Sequence, residues 1–148
     1  MFRKANNEDV ESLFIIWFKA VKATHSFLSD EDFDEISHIV KNDFLPNVEA
    51  DVYVDGKDMP LGFMTMTGSE IDALFIDPDF HNIGIGKAFV KKAMDAYDEI
   101  TVDVNEQNVS AHNFYKYVGF IDTGRSEKDS SGKPYPIVHM KYRALPSS

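Results

Sequence analysis

Apolar and polar positions alternate along this chain with a period that changes several times, and the changes mark its elements. Val10, Leu13, Phe14, Trp17, Phe18 and Val21 recur at i, i+3, i+4, i+7, i+8 and i+11, the spacing of one helix face. Asn6 or Asn7 stands where an N-cap belongs, and Met1–Lys4 before it reads as a short strand. Ile15 and Ile16 widen the apolar face beyond a single core contact, which predicts a helix covered on two sides. Thr24–Leu28 breaks this pattern. Ser29 with Asp32 reads as a capping box opening a second helix, where Phe33, Ile36, Val40 and Phe44 share a face until Leu45-Pro46 ends it.

The period then falls to that of strands. Val52-Tyr53-Val54 and Leu61–Thr67 flank a turn built on Asp55-Gly56, a hairpin signal. A third strand, Ile71–Asp77, carries the apolar run Ala73-Leu74-Phe75-Ile76 and stops at Asp77-Pro78. Helical spacing returns with Phe89, Val90, Ala93, Met94 and Tyr97. Ile100–Asn105 alternates, Ile100, Val102 and Val104 to one side and Thr101, Asp103 and Asn105 to the other. Ala111, Phe114, Tyr115 and Val118 form the stripe of a helix near Ser110–Val118, with Gly119 placed to stop it. Phe120–Ser126 and Ile137–Tyr142 complete the chain as a hairpin around Ser131-Gly132-Lys133-Pro134. The predicted order is β-α-α-β-β-β-α-β-α-β-β.

Composition narrows the class. At 148 residues, with no repeat, linker or low-complexity tract, residues 1–148 read as a single domain with room for a proper core. No apolar run approaches the 18 or so residues of a membrane span, so no membrane partner is expected. The opening MFRKANNEDV lacks the apolar stretch of a signal peptide, and a cytoplasmic location is expected. The absence of cysteine excludes disulfides, thiolate metal sites and a cysteine nucleophile. His38, His112 and His139 show no metal-ligand spacing, so no metal is expected. A net charge of −10 argues against a nucleic-acid partner, since phosphate binding needs a basic footprint. The same charge steers cationic molecules toward the surface.

The richest chemistry lies in residues 71–90, where the apolar strand feeds Gly84-Ile85-Gly86 into a helix start. Such a turn presents unpaired backbone N–H groups and the positive end of a helix dipole, which makes it an anion site. A P-loop is excluded, because Gly86-Lys87 is followed by Ala88 and the required first glycine is His81. A dinucleotide fingerprint is excluded too. Its third small position is Phe89, and no βαβ unit precedes the turn. Lys87, Lys91 and Lys92 follow the glycines and either supply cations to the anion or form the solvated face of the helix.

His81-Asn82-Ile83-Gly84-Ile85-Gly86 resembles the pyrophosphate turn Q/R-x-x-G-x-G/A of the GNAT (GCN5-related) N-acetyltransferase superfamily, with His81 departing from the usual Gln or Arg. Asn105–Phe120 resembles the downstream signature N-x-x-A-x-x-F-Y-x-x-x-G-F at Asn108, Ala111, Phe114, Tyr115, Gly119 and Phe120. The element order matches as well, so the resemblance covers nearly the whole chain. Within the superfamily it extends to a branch of small bacterial acetyltransferases through Thr24–Ser29 and Gly132–Pro136. The resemblance implies an α/β (α+β) GNAT fold, a single mixed and largely antiparallel sheet flanked by helices. It implies acetyl-CoA as co-substrate. The main chain of Leu74, Phe75 and Ile76 would pair with pantetheine, and His81, Asn82, Ile83, Gly84, Ile85, Gly86 and Lys87 would hold the pyrophosphate. Asn108 would hydrogen-bond the cofactor near the gap between splayed strands, and Tyr115 occupies the position of the general acid.

Acetyl transfer gives these roles a reason. Amine attack on a thioester builds an oxyanion, which an N–H of the Leu74–Ile76 strand can stabilise, and it expels a thiolate that a phenol can protonate. Without cysteine, direct transfer in a ternary complex is expected over a covalent acyl-enzyme. Outside the motif, Tyr115 would read as a core aromatic. An amine of pKa about 10.4 must also lose a proton. Asp72 is the leading base, with Glu70, Asp103 and His25 as alternatives. For Asp72 the competing reading is a strand-start carboxylate that reaches water. His25 and Phe27, in the helix break, are expected to line the acceptor pocket. The expected function is an N-acetyltransferase acting on a protein lysine, a protein N-terminus or a small amine. The alternative is a non-catalytic acyl-CoA-binding or sensor module, in which a phenol at position 115 has no purpose. The chain is expected to be a monomer or a homodimer, the surplus apolar face at Ile15-Ile16 suiting the latter.

Overall fold

The computed structural model describes residues 1–81 and 83–145. Among them the strands are β1 (Phe2–Lys4), β2 (Ala50–Val54), β3 (Pro60–Thr67), β4 (Glu70–Ile76), β5 (Glu99–Asn105), β6 (Ile121–Ser126) and β7 (Ile137–Arg143). The helices are α1 (Val10–Thr24), α2 (Asp30–Ile39), α3 (Ile85–Ala96) and α4 (Val109–Tyr117). Their order along the chain is the one expected, and the fold is mixed α/β. The strands run β1-β2-β3-β4-β5-β7-β6 across a seven-stranded, mostly antiparallel sheet. Contacts group the chain into two compact units, Met1–Thr65 with Ala73–Gly86, and Met66–Asp72 with Lys87–Ser148.

In the first unit, Leu13, Ile16, Trp17 and Val21 of α1 are buried together with Val52, Val54, Phe63 and Ala73 of the strands. Ile16 is thus a core residue, not surplus, whereas Ile15 stays 50% exposed. Coverage of α1 on a second side comes from α2. Phe33 stacks on Trp17 with centroids 5.8 Å apart and meets Phe18 edge-on at 5.2 Å. Lys22 Nζ lies over both Phe18 and Phe33, at 5.6 and 5.5 Å from the centroids, so the remaining aromatic surface faces a cation.

Asn6 caps the 3-10 turn Asn7–Asp9 that leads into α1, not α1 itself, whose own N-cap Asp9 makes no side-chain cap bond. Asn6 Oδ1 accepts from the Glu8 N–H, and Asp9 accepts from the Asn6 N–H. Ser29 Oγ accepts from the Asp32 N–H. The second helical pattern departs from regularity, however. After Ile39 the backbone widens into a π-turn over Val40–Phe44, closed by the Leu45 N–H on the Val40 carbonyl, and tightens again over Leu45–Asn47. The wider turn keeps Val40 and Phe44 against the core cluster.

The β2–β3 hairpin forms, with a turn other than the one expected. Asp55 Oδ1 accepts from the N–H groups of Lys57 and Met59, and the positive φ falls on Asp58 at 64°, not on Gly56. Asparagine and aspartate tolerate this region because their short polar side chains bond locally.

The second unit is built on β5, β7 and β6. Ile100, Val102 and Val104 of β5 and Val138 and Met140 of β7 are buried on one face, as alternation predicts. Phe89, Val90 and Ala93 of α3 are buried as well, whereas Tyr97 lies past the helix end and is 39% exposed. The parallel ladder of β4 with β5 consists of Glu70↔Thr101 and Ile71↔Val102, confined to the start of β4. Leu74, Phe75 and Ile76 lie beyond it.

Candidate active site

At the end of β4 the Asp77 N–H bonds to the Leu61 carbonyl at 2.8 Å, and the Asp77 carboxylate caps a short 3-10 turn, Pro78–Phe80, by accepting from Asp79 N–H. Lys19 of α1 holds both carboxylates, with Nζ 2.9 Å from Asp77 and 2.8 Å from Asp79. A cation on a helix thus fixes the start of the loop that carries the glycine turn. Nothing in the sequence marked it, because Lys19 and Asp77 stand 58 positions apart.

Gly84 has φ +88°, a conformation that L side chains rarely adopt, and a Cβ there would meet nothing within 4 Å. The glycine is therefore required by backbone geometry, not by crowding. α3 starts at the next residue, with Ile85 buried to 4% and pinning the first turn, so the unpaired N–H groups of the helix end follow directly on the loop. His81 and Ile83 are exposed, and Asn82 lies outside the described residues. Lys87 sits in the first turn of α3 with its ammonium 5.6 Å from the Tyr117 ring centroid. Polar donors without bulky side chains are the set a polyphosphate requires.

The Asn108–Phe120 signature resolves into two helix caps. Asn108 caps α4, its Oδ1 accepting from the Ala111 N–H at 3.1 Å. The carboxamide nitrogen is the end of that side chain suited to a ligand carbonyl. At the other end, the Gly119 N–H bonds to the Lys116 carbonyl and the Phe120 N–H to the Tyr115 carbonyl, with Gly119 at φ +110°. That is a Schellman motif, and the Tyr115–Phe120 ring contact at 5.3 Å supplies its hydrophobic partner. The spacing of Tyr, Gly and Phe is therefore the spacing of a helix stop. Tyr115 is 6% exposed, and among the described residues its hydroxyl has no hydrogen-bond partner. Burial pushes the phenol pKa up, so it stays protonated across the physiological range.

The candidate bases differ in their surroundings. Asp72 is exposed and accepts a short hydrogen bond from Thr67 Oγ1, which gives this carboxylate a structural task beside the β3–β4 turn. Glu70 is exposed at the start of β4. Asp103 accepts from His139. His25 lies past the end of α1, its ring 5.1 Å from that of Phe27. Thr24 Oγ1 spends its hydrogen on the Ala20 carbonyl at 2.8 Å, so the 2.7 Å contact with His25 Nδ1 must be donated by the ring. The neutral imidazole then presents the Nε2 lone pair, and burial lowers the ring pKa below 6.5.

His25 and Phe27 thus come together beside Thr24, and Asn108 and Tyr115 on one helix. The turn residues up to Gly86 and His25 belong to the first unit, and Lys87, Asp72, Asp103, Asn108 and Tyr115 to the second.

The mixed sheet and its flanking helices make this a domain of mixed α/β class. The sequence model of the acetyltransferase (GNAT) domain matches residues 23–144, and the chain belongs to that family. It is an acetyltransferase. It is 46% identical over 140 residues, 95% of each chain, to the peptidyl-lysine N-acetyltransferase YjaB of Escherichia coli K12. The solution structure of apo-YjaB from E. coli superimposes with a TM-score of 0.92, covering 98% of each chain at 45% identity. The fold is shared with the PaiA N-acetyltransferase of Thermoplasma acidophilum, solved in complex with coenzyme A, at a TM-score of 0.75 and 19% identity over 97% of this chain and 98% of that one. Among the described residues no helix is long and apolar enough to cross a membrane.

Proposed function

We propose that the chain transfers the acetyl group of acetyl-CoA to a lysine side chain of a protein substrate in the cytoplasm, by direct attack of the amine in a ternary complex. The identity to YjaB over nearly the full length carries the acceptor class. In this reading the Gly84–Lys87 backbone and the start of α3 hold the pyrophosphate. The positive φ of Gly84 supports it, because it lets the N–H groups converge without a side chain between them. Leu74, Phe75 and Ile76, beyond the β4–β5 ladder, offer main-chain groups to pantetheine, and one N–H stabilises the developing oxyanion. Asn108 Nδ2 donates to the cofactor while Oδ1 keeps its cap.

Tyr115 gives its proton to the departing thiolate. A phenol kept protonated by burial, with no protein partner among the described residues, is suited to that task. Neutral His25, its Nδ1–H bonded to Thr24 Oγ1, and Asp72 are the groups read as taking the amine's proton, and Phe27 flanks His25 on the acceptor side.

The test is CoA release from acetyl-CoA with lysine peptides, N-terminally blocked or free, and with polyamines. Acetyl on a lysine Nζ of the blocked peptide is expected. Tyr115→Phe should lower kcat by about a hundredfold with KM for acetyl-CoA little changed. A wild-type rate for this variant removes the general-acid assignment, and polyamine-only turnover removes the protein acceptor.

A further inference from the structure

We propose that Ser126, His139 and Asp103 form a second reactive centre, a serine nucleophile with its own base, that takes acyl groups from activated esters and thioesters. The three residues sit on neighbouring strands of one unit, β6, β7 and β5. Asp103 Oδ1 lies 2.7 Å from His139 Nδ1, and His139 Nε2 lies 2.7 Å from Ser126 Oγ. Asp103 and His139 are direct cross-strand partners, so the ladder itself sets their approach.

The hydrogen bonds determine one another. A carboxylate only accepts, so Nδ1 carries the ring hydrogen and Nε2 presents a lone pair, to which the Ser126 hydroxyl donates. This is the arrangement by which a histidine, oriented by a carboxylate, makes a serine nucleophilic, a pattern recognised by geometry and not by fold. Gly124 is the partner of His139 on β6, and a Cβ there would make an ordinary 3.5 Å contact with the ring Cδ2. Thr123 Oγ1 donates to the His139 carbonyl at 3.2 Å and ties the same residue from the backbone side. His139 and Asp103 are each partly exposed, at 38% and 52% of their side-chain surface, so a small acyl donor can approach.

As Ser126 Oγ attacks the acyl carbon, its proton passes to His139 Nε2 and Asp103 steadies the imidazolium. The bond to the leaving oxygen or sulfur then breaks, and the leaving group departs with that proton. Water, deprotonated by Nε2, next cleaves the seryl ester, which frees the carboxylic acid and restores Ser126. The proposal does not depend on where acetyl-CoA binds.

The probe is p-nitrophenyl acetate with the full chain and no amine. We expect a burst of p-nitrophenol, one added acetyl group in the intact mass, and its location on Ser126 by peptide fragmentation. Ser126→Ala should lose the adduct, and Asp103→Asn should slow the burst at least about tenfold. Melting temperatures within a few degrees of the wild type certify both variants. Should Asp103→Asn fail to fold, Ser126→Ala decides alone, since it removes only a hydroxyl. Acetyl found on lysines or on His139 instead, or a wild-type burst in Ser126→Ala, overturns the proposal.

Discussion

Thr65 shows how a single atom departs from the pattern around it. It is 3% exposed on β3, and among the described residues its buried hydroxyl has no partner. An unpaired buried hydroxyl is a cost that an isosteric methyl removes. Thr65→Val should therefore raise stability by about 1 kcal/mol, read as a higher melting temperature. His25 carries the second expectation at this scale. Burial lowers its pKa from the ordinary 6.5, so in the range just below that value the unfolded chain binds more protons than the folded one. Its contribution to stability is complete above pH 6.5 and is lost as pH falls through the lowered folded value. Urea unfolding at about pH 7.5 and about pH 5.5 should show a larger loss in the wild type than in His25→Gln.

Among the elements, α4 is the one in which structure and chemistry share residues. Tyr115, Gly119 and Phe120 stop the helix as a Schellman motif, and the same stop buries the phenol proposed as general acid. Gly119 stands at φ +110°, and a Cβ there would touch Tyr142 at an ordinary 3.5 Å, so the cost of substitution is in the backbone. Gly119→Ala should destabilise by about 2 kcal/mol and lower activity together with the melting temperature. Tyr115→Phe should lower activity while leaving the melting temperature near that of the wild type. The two variants together separate the motif's structural work from its chemistry. Asp72, proposed as a base, also has a local bond: its carboxylate accepts from Thr67 Oγ1 beside the β3–β4 turn.

At the scale of the molecule, charge is the property with consequences. With 25 acidic against 15 basic residues, the net charge of −10 favours the approach of lysine-rich substrates and disfavours acidic ones. Raising salt from about 50 to about 300 mM should raise KM for a basic peptide several-fold and leave KM for a neutral peptide with one lysine nearly unchanged. Equal response of both peptides would remove steering from the account.

How much of this was legible in the sequence follows from the range of the interactions involved. Periodicity, caps and glycine spacing act within a few residues. They alone determined the order of strands and helices, the glycine turn at Gly84–Lys87, and the pairing of Asn108 with Tyr115 across α4 and its cap. Even the π-turn after Ile39 escaped them, because a one-residue widening leaves the apolar spacing almost unchanged. Tertiary structure decided whatever joins distant positions. Lys19 meets Asp77 and Asp79 across 58 and 60 residues, and Asp103 meets His139 across 36. It also decided that Ile16 belongs to the core while Ile15 faces out, since burial depends on what packs over a helix and not on the helix's own pattern. The same holds for Tyr115. Its presence is a matter of sequence, but the burial that keeps its proton comes from the rings and strands around it.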